Sequence, residues 1–296
     1  MDAELRKAYL ACQTIARNEA GNFFWAFRFL PRRKRWALSA VYAFCRIADD
    51  LVDHAADPHK ARQDLHQMLA DLDAALSGTT NGTIYLALAD ACGKFDIPRQ
   101  LFEDLIRGVE MDVEGIEYGS VEDLELYCRR VASSVGLMSI AIFGARHPDS
   151  KKYADELGVA LQWTNILRDV GDDADRNRVY IPNSLLKRRQ ISRGDVLTKS
   201  NSVPWDQLFD DVYGLALSHY QRAHDCLPRS DLRKLVPAEI MQSIYLATLH
   251  KIRRLNYPVF HRRVSLSILT KIAISLWVVF LRGILGAHPR FRCSEK

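Results

Sequence analysis

Alternating apolar and polar runs rich in Val, Ile and Thr are scarce in this 296-residue chain. Their scarcity argues against a sheet, because a half-buried strand needs period-two patterning. Cysteine is sparse too. The six residues, at 12, 45, 92, 128, 226 and 293, form no CxxC pair. That spacing excludes a zinc ribbon, argues against a disulfide framework and predicts a reduced, intracellular protein. No Walker-type glycine loop is present, so nucleotide phosphoryl transfer is not expected. The nine histidines show no HExxH or paired-ligand spacing, and no Ser/His/Asp or Cys/His arrangement stands out. The N-terminus, Met1 to Lys7, is charged and lacks the apolar run of a signal peptide, which predicts a cytoplasmic location. Internal repeats, low-complexity segments and interdomain linkers are absent as well.

What remains is helical periodicity. The chain is 48% hydrophobic and 26% charged, ordinary for a globular protein. Turn signals break it near Gly21-Asn22, Asp57-Pro58, Ser77-Gly78-Thr79, Asp96-Ile97-Pro98, Gly115 to Ser120 and His147-Pro148-Asp149. A longer irregular stretch is expected from about Arg176 to Pro204. Pro98 suits the first turn of a helix whose apolar stripe is Leu101, Leu105, Ile106 and Val109. The reading is an all-α catalytic domain over residues 1–263, of roughly ten helices. A basic segment, 264–296, follows it. The formal charge of +5 hides an uneven split. Residues 251–296 hold ten of the 41 Lys+Arg and one of the 36 Asp+Glu, so they carry +9 while residues 1–250 carry −4.

Two acidic clusters interrupt apolar helical patterns. In the first, Tyr42, Arg46, Asp49 and Asp53 are spaced four, three and four apart and share one helix face. Two carboxylates four residues apart repel each other, the more so when buried among Val41, Phe44, Ile47 and Val52. Such a pair suits a hard divalent cation. The alternative is a solvated helix end, and an isolated DDxxD leaves that open. In the second cluster, Asn165, Asp169 and Asp173 share a face at i, i+4 and i+8, which Gln162 extends. Arg168, Arg176 and Arg178 lie close by. Carboxylates holding Mg²⁺ (or Mn²⁺), with arginines neutralising the remaining charge, make a diphosphate site. Such a site stabilises a departing diphosphate.

Three stretches resemble the squalene/phytoene synthase family, the head-to-head prenyltransferases. They are FRFLPRRKRWALSAVYAFCRIADDLVD, YCRRVASSVGLMSIAIFG and LGVALQWTNILRDVGDDADRNRVYIP. The likeness runs from about residue 10 to 265. It implies an isoprenoid-synthase helical bundle around a central cavity. By match of motif, Asp49, Asp53, Asn165, Asp169 and Asp173 would bind Mg²⁺. Arg46, Arg168, Arg178 and Tyr180 would contact diphosphate oxygens. Tyr42, Phe23 and Phe24 would border the first prenyl site. Val131, Ala132, Gly136, Leu161 and Gln162 would line the prenyl tunnel, Tyr127 would contact substrate, and Tyr245 would approach the site. Gly21-Asn22 stands where many relatives carry Ser, and Asn22 keeps a hydrogen-bond donor.

The resemblance implies ionisation of one prenyl diphosphate, attack by the double bond of a second, and proton loss to close a cyclopropane. LIRGVEMDVEGIEYGSVEDLELYCRRVASSVGL and FRFLP look most like the bacterial presqualene diphosphate synthases, which use farnesyl diphosphate. Phytoene and dehydrosqualene synthases share most of the same residues. NADPH is not expected at the presqualene stage. Enzymes that consume the product are implied partners. A non-catalytic relative would be expected to lose its carboxylates, and both clusters are complete here. A class I terpene cyclase would carry an Asn/Ser/Glu second motif, and NILRDVGDD stands in its place.

The segment VSLSILTKIAISLWVVFLRGILGA, residues 264–287, reads as an amphipathic helix with a narrow polar stripe of Ser267, Lys271, Ser275 and Arg282. Its longest uncharged run is ten residues, between Lys271 and Arg282. A membrane span needs about 20. The expectation is a helix that starts on the bundle and ends at a membrane surface, with Arg253, Arg254, Arg262, Arg263, Arg290 and Arg292 drawn to anionic lipid. Its apolar content fits lipid better than nucleic acid.

Overall fold

The computed structural model describes residues 2–19, 30–53, 57–79 and 82–287. Phe23, Phe24 and the Gly21-Asn22 break lie outside these residues. Helices account for nearly all of the regular structure, and no strand occurs among the described residues. In chain order they are α1 (Ala3–Glu19), α2 (Arg32–Asp53), α3 (Pro58–Leu76), α4 (Thr83–Phe95) and α5 (Arg99–Glu114). Next come α6 (Val121–Cys128), a π-helical turn (Arg129–Ser133) and α7 (Ser134–Phe143), which form one continuous rod. Then follow α8 (Pro148–Asp175), α9 (Asn183–Arg188), α10 (Arg193–Leu197), α11 (Trp205–Asp225), α12 (Val236–Arg254) and α13 (Ile268–Val278).

Local chemistry sets most boundaries. Asp57 caps α3, its carboxylate accepting from the His59 N–H at 2.9 Å, and Pro58 opens the helix. Ser120 and Asp123 form a reciprocal capping box at the start of α6. Asp96 ends α4 in the left-handed region, and Gly115 ends α5 there. Two readings shift. Pro98 precedes the first residue of α5 rather than occupying its first turn. The irregular stretch from 176 to 204 contains α9 and α10, whose six and five residues are too short to display a helical period.

The 28-residue α8 is the spine. Trp163 at its middle is fully buried, and α11, α7 and the π turn pack around it. The π turn is seated between two glycines. A Cβ on Gly108 of α5 would lie 2.6 Å from the Val131 side chain, and one on Gly158 of α8 would lie 2.6 Å from the Ser133 backbone. Both contacts are far inside van der Waals distance, so only glycine lets α5 and α8 approach this rod so closely. The extra residue of the π turn re-aims Val131 and Ala132 toward the space between α2 and α8, a use to which such turns are often put.

Candidate active site

That space has two continuous parts. The inner part is an apolar cavity of about 240 Å³, walled by α2, the π turn, α7, α8 and α12. Tyr42, Val131, Ala132, Gly136, Leu161 and Tyr245 all line it. The outer part is a polar mouth of about 370 Å³. Asp49, Val131, Gln162 and Asn165 belong to both, so they mark the junction. Along α8, Tyr153 lies deep in the cavity, Leu161 and Gln162 midway, and Asp169 and Asp173 in the mouth. At 1.5 Å per residue, Tyr153 is about 24 Å below Asp169.

The mouth gathers both acidic clusters on facing helices. Asp49 and Asp53 come from α2, and Asn165, Asp169 and Asp173 from α8. Arginines lace the two sides together. Arg178 Nη1 is 2.8 Å from Asp53 Oδ1, and Arg176 reaches the same carboxylate at 3.5 Å. Arg168 Nε donates to Asp169 Oδ1 at 2.8 Å, and Arg263 Nε reaches that oxygen at 2.9 Å. Arg46 pairs with Asp50 at 2.6 Å, one turn along α2. Of the residues singled out from sequence, the structure brings together every one it describes.

Sequence reasoning missed two residues. Asp112 of α5 lies in the mouth and accepts from Tyr180 Oη at 2.7 Å and Tyr127 Oη at 3.0 Å. The signal was present: Asp112 follows Leu105 by seven and Val109 by three, so it continues an apolar stripe with a carboxylate. Tyr127 and Tyr180 stack at 5.3 Å between ring centroids, and Asp112 thereby holds both phenols in the wall of the mouth. The other is Arg263, which the sequence reading assigns to a lipid surface and which the structure turns into the mouth instead. It stands 94 residues from Asp169, and only the tertiary fold joins them. A Cβ on Gly171 of α8 would come within 2.5 Å of the Val259 carbonyl, so that glycine allows the Val259–Phe260 backbone to cross α8 closely and deliver Arg263.

The acids are under electrostatic stress. Asp49 is exposed to solvent within the mouth, yet the protein packed around that mouth shuts it off from bulk water. Burial, then the charges of Asp112 and Asp53, push its pKa up to about 7. Burial and Asp169 push Asp173 up to about 7 as well. Burial raises Asp112 to about 6 against the hydrogen bonds of Tyr180 and Tyr127. The Asn165 Oδ1 atom is buried and accepts no hydrogen bond among the described residues. Repelling carboxylates and an unused amide oxygen form an all-oxygen donor set, which fits a hard divalent cation. Among the described residues, no three His, Cys, Asp or Glu side chains converge as a ready-made metal chelate.

A helical bundle with a charged mouth over an apolar cavity is the build of an enzyme for ligands with an anionic head and an apolar tail. The squalene/phytoene synthase pattern matches residues 16–270, and the chain belongs to that family of prenyltransferases. It is 34% identical over 304 residues to the phytoene synthase of Mycobacterium tuberculosis, covering 97% of this chain and 99% of that one. It is 33% identical over 258 residues to the presqualene diphosphate synthase of Rhodopseudomonas palustris, covering 86% and 91%. Among solved structures, a dehydrosqualene synthase in complex with ligand matches at a TM-score of 0.82 and 28% identity, over 93% of this chain and 96% of that one. The squalene synthase of Alicyclobacillus acidocaldarius matches at 0.77 and 27%, over 87% and 97%.

Proposed function

We propose that this enzyme joins two farnesyl diphosphates head to head, with Mg²⁺, to give presqualene diphosphate and free diphosphate. One observation carries the reading: a mouth of facing carboxylates and arginines opens directly onto an apolar cavity. The mouth takes the diphosphates and the cavity takes the chains. Asp49, Asp53, Asn165, Asp169 and Asp173 are the residues that would hold Mg²⁺, together with phosphate oxygens. Bound there, the metal supplies Lewis-acid stabilisation of the leaving diphosphate.

The chain's own residues do the rest. Arg46, Arg168 and Arg178 exchange their carboxylate partners for diphosphate oxygens, a geometry the guanidinium fork suits. Tyr180 and Tyr127, fixed by Asp112, border the carbon that ionises. Tyr42, Val131, Ala132 and Leu161 enclose the allylic cation and exclude water, which would quench it. The double bond of the second farnesyl chain attacks, and loss of a proton closes the cyclopropane. NADPH plays no part at this stage. The basic C-terminal segment is read as a peripheral contact with the cytoplasmic surface of a membrane, where prenyl products partition.

A second reading has a specific observation in its favour: the M. tuberculosis relative, matched almost end to end, is a phytoene synthase. The test is incubation with farnesyl or geranylgeranyl diphosphate and Mg²⁺, with and without NADPH, followed by product analysis. Presqualene diphosphate from farnesyl diphosphate under both conditions is the expected result. Turnover of geranylgeranyl diphosphate alone would make the enzyme a phytoene synthase. Squalene formed only with NADPH would make it a full squalene synthase.

A further inference from the structure

The C-terminal helix is inside out. On an ordinary surface helix the apolar stripe faces the core. Here the side turned inward carries Lys271, Ser275 and Arg282, with Val278 among them. Ser275 is buried and its hydroxyl donates to the Lys271 carbonyl at 2.7 Å. Arg282 is only 14% exposed and reaches the buried Glu239 of α12 at 3.4 Å. Glu239 in turn accepts from Tyr153 Oη at 2.7 Å, and Tyr153 lines the deep end of the cavity. At the other end of the helix, half-buried Lys271 lies within electrostatic range of Arg168 in the mouth. So α13 and the π turn that continues it (Val279–Ile284) run along α12 from mouth to floor.

The outward face is correspondingly apolar. Of the twelve large hydrophobic side chains exposed among the described residues, seven lie between 268 and 285. Leu269 is 78% exposed and Trp277 61%, with Leu276, Phe280, Ile284 and Leu285 beside them. A concentration of this kind marks a contact surface rather than scattered exposure. Its surroundings decide what the contact is. Exposed Arg254 and Arg262 precede it, Arg253 beside them pairs with Asp210, and residues 251–287 contain no acid. A second copy paired through the same patch would bring like charges together. An anionic bilayer complements both the charge and the apolar face. Trp277 and Phe280, 6.3 Å apart, are residue types suited to the headgroup boundary.

We propose that α13 and its π turn dock on an anionic bilayer by their outward apolar face. The prenyl cavity is then held alongside the membrane, behind α12. This rests on the prenyl-diphosphate reading for its purpose: substrate tails and product move between cavity and lipid without crossing bulk water. It does not rest on that reading for its test.

The full chain is floated with phosphatidylglycerol/phosphatidylcholine vesicles and with phosphatidylcholine vesicles alone, beside a Leu269→Glu/Trp277→Glu variant. Both positions are exposed, so the variant keeps its fold, checked by circular dichroism. The expected result is binding to the anionic vesicles that falls at least about tenfold in the variant and weakens with salt. Turnover of detergent-dispersed farnesyl diphosphate stays unchanged in the variant. Equal flotation of both proteins overturns the proposal. So does a wild-type dimer in light scattering that the variant abolishes, because a second copy would then own the face. If neither protein turns over any prenyl diphosphate while the vesicle difference persists, the functional reading fails and the docking stands.

Discussion

Asp231 and Asp49 are the same residue type in opposite surroundings. Asp231, between α11 and α12, is buried and fully answered. Its Oδ2 accepts from the Arg146 N–H, the His147 N–H and Ser150 Oγ at 2.7, 2.7 and 3.0 Å, and its Oδ1 from Lys234 Nζ at 2.7 Å. Burial alone would raise its pKa, but these donors win and hold it at about 2. Asp49 faces Asp112 and Asp53, with Arg46 offsetting only part of the repulsion, and rises to about 7. The difference separates two uses of a carboxylate. One is satisfied by the protein and joins elements. The other is left short of positive charge, as a site must be if it is to gain something by binding a cation.

The largest effects should split along that line. Asp49→Asn or Asp169→Asn is expected to cut turnover by about a hundredfold to a thousandfold, the range for deleting one group that stabilises developing charge. The folded Asp49→Asn protein should be no less stable, because a repelled carboxylate has been removed, whereas Asp169→Asn also takes the partner from Arg168 and Arg263 and should melt lower. Steady-state kinetics beside a thermal melt checks both halves, and full activity in either variant would refute the metal assignment. Asp231→Asn should do the reverse. Losing a charge that answers four donors is expected to cost about 2–4 kcal/mol of stability, measured by urea unfolding, with kcat of the folded enzyme near wild type. A catalytic defect without a stability defect there would erase the distinction.

Next in size is the seat of the π turn. Gly158→Ala forces a Cβ to within 2.6 Å of the Ser133 backbone, and backbone cannot swing aside as a side-chain tip can. The expected cost is about 1–3 kcal/mol, the range for overpacking. The turn carries Val131 and Ala132 into the cavity, so KM for the prenyl substrate should rise as well. An equal substitution at Gly214, where a Cβ meets nothing within 4 Å, is the control.

These contrasts explain what was legible in the sequence. Both acidic clusters could be read because each lies within one helix, where a spacing of four residues fixes a shared face. That Asp53 meets Arg178 across 125 residues could be guessed only from the family likeness. Arg263 was assigned to lipid instead, since its true partner depends on how the Val259–Phe260 backbone crosses Gly171. Asp112 was overlooked although it sits on a stripe already identified, because a single carboxylate among apolar residues has no partner within its own helix. The polar stripe of α13 was legible from its spacing. Its inward direction was not, because periodicity defines a face without saying which way it turns.

The smallest expected effect tests the stressed acids directly. In metal-free protein the folded pKa of Asp49 and Asp173 is about 7, above the ordinary 3.8 of an unfolded chain. The folded state therefore holds these protons more tightly. Their contribution to stability is fully present below the unfolded value and is lost as pH rises through the folded one. Melting temperature in chelator should thus decline between about pH 5 and pH 8 more steeply than in the Asp49→Asn/Asp173→Asn variant, whose amides do not titrate. Mg²⁺ with inorganic diphosphate should remove much of the decline in wild type, by answering the charges that the fold leaves unpaired, and should change the variant little. Parallel slopes in the two proteins would mean that these carboxylates are already satisfied, and that Asp49 is closer in kind to Asp231 than its surroundings indicate.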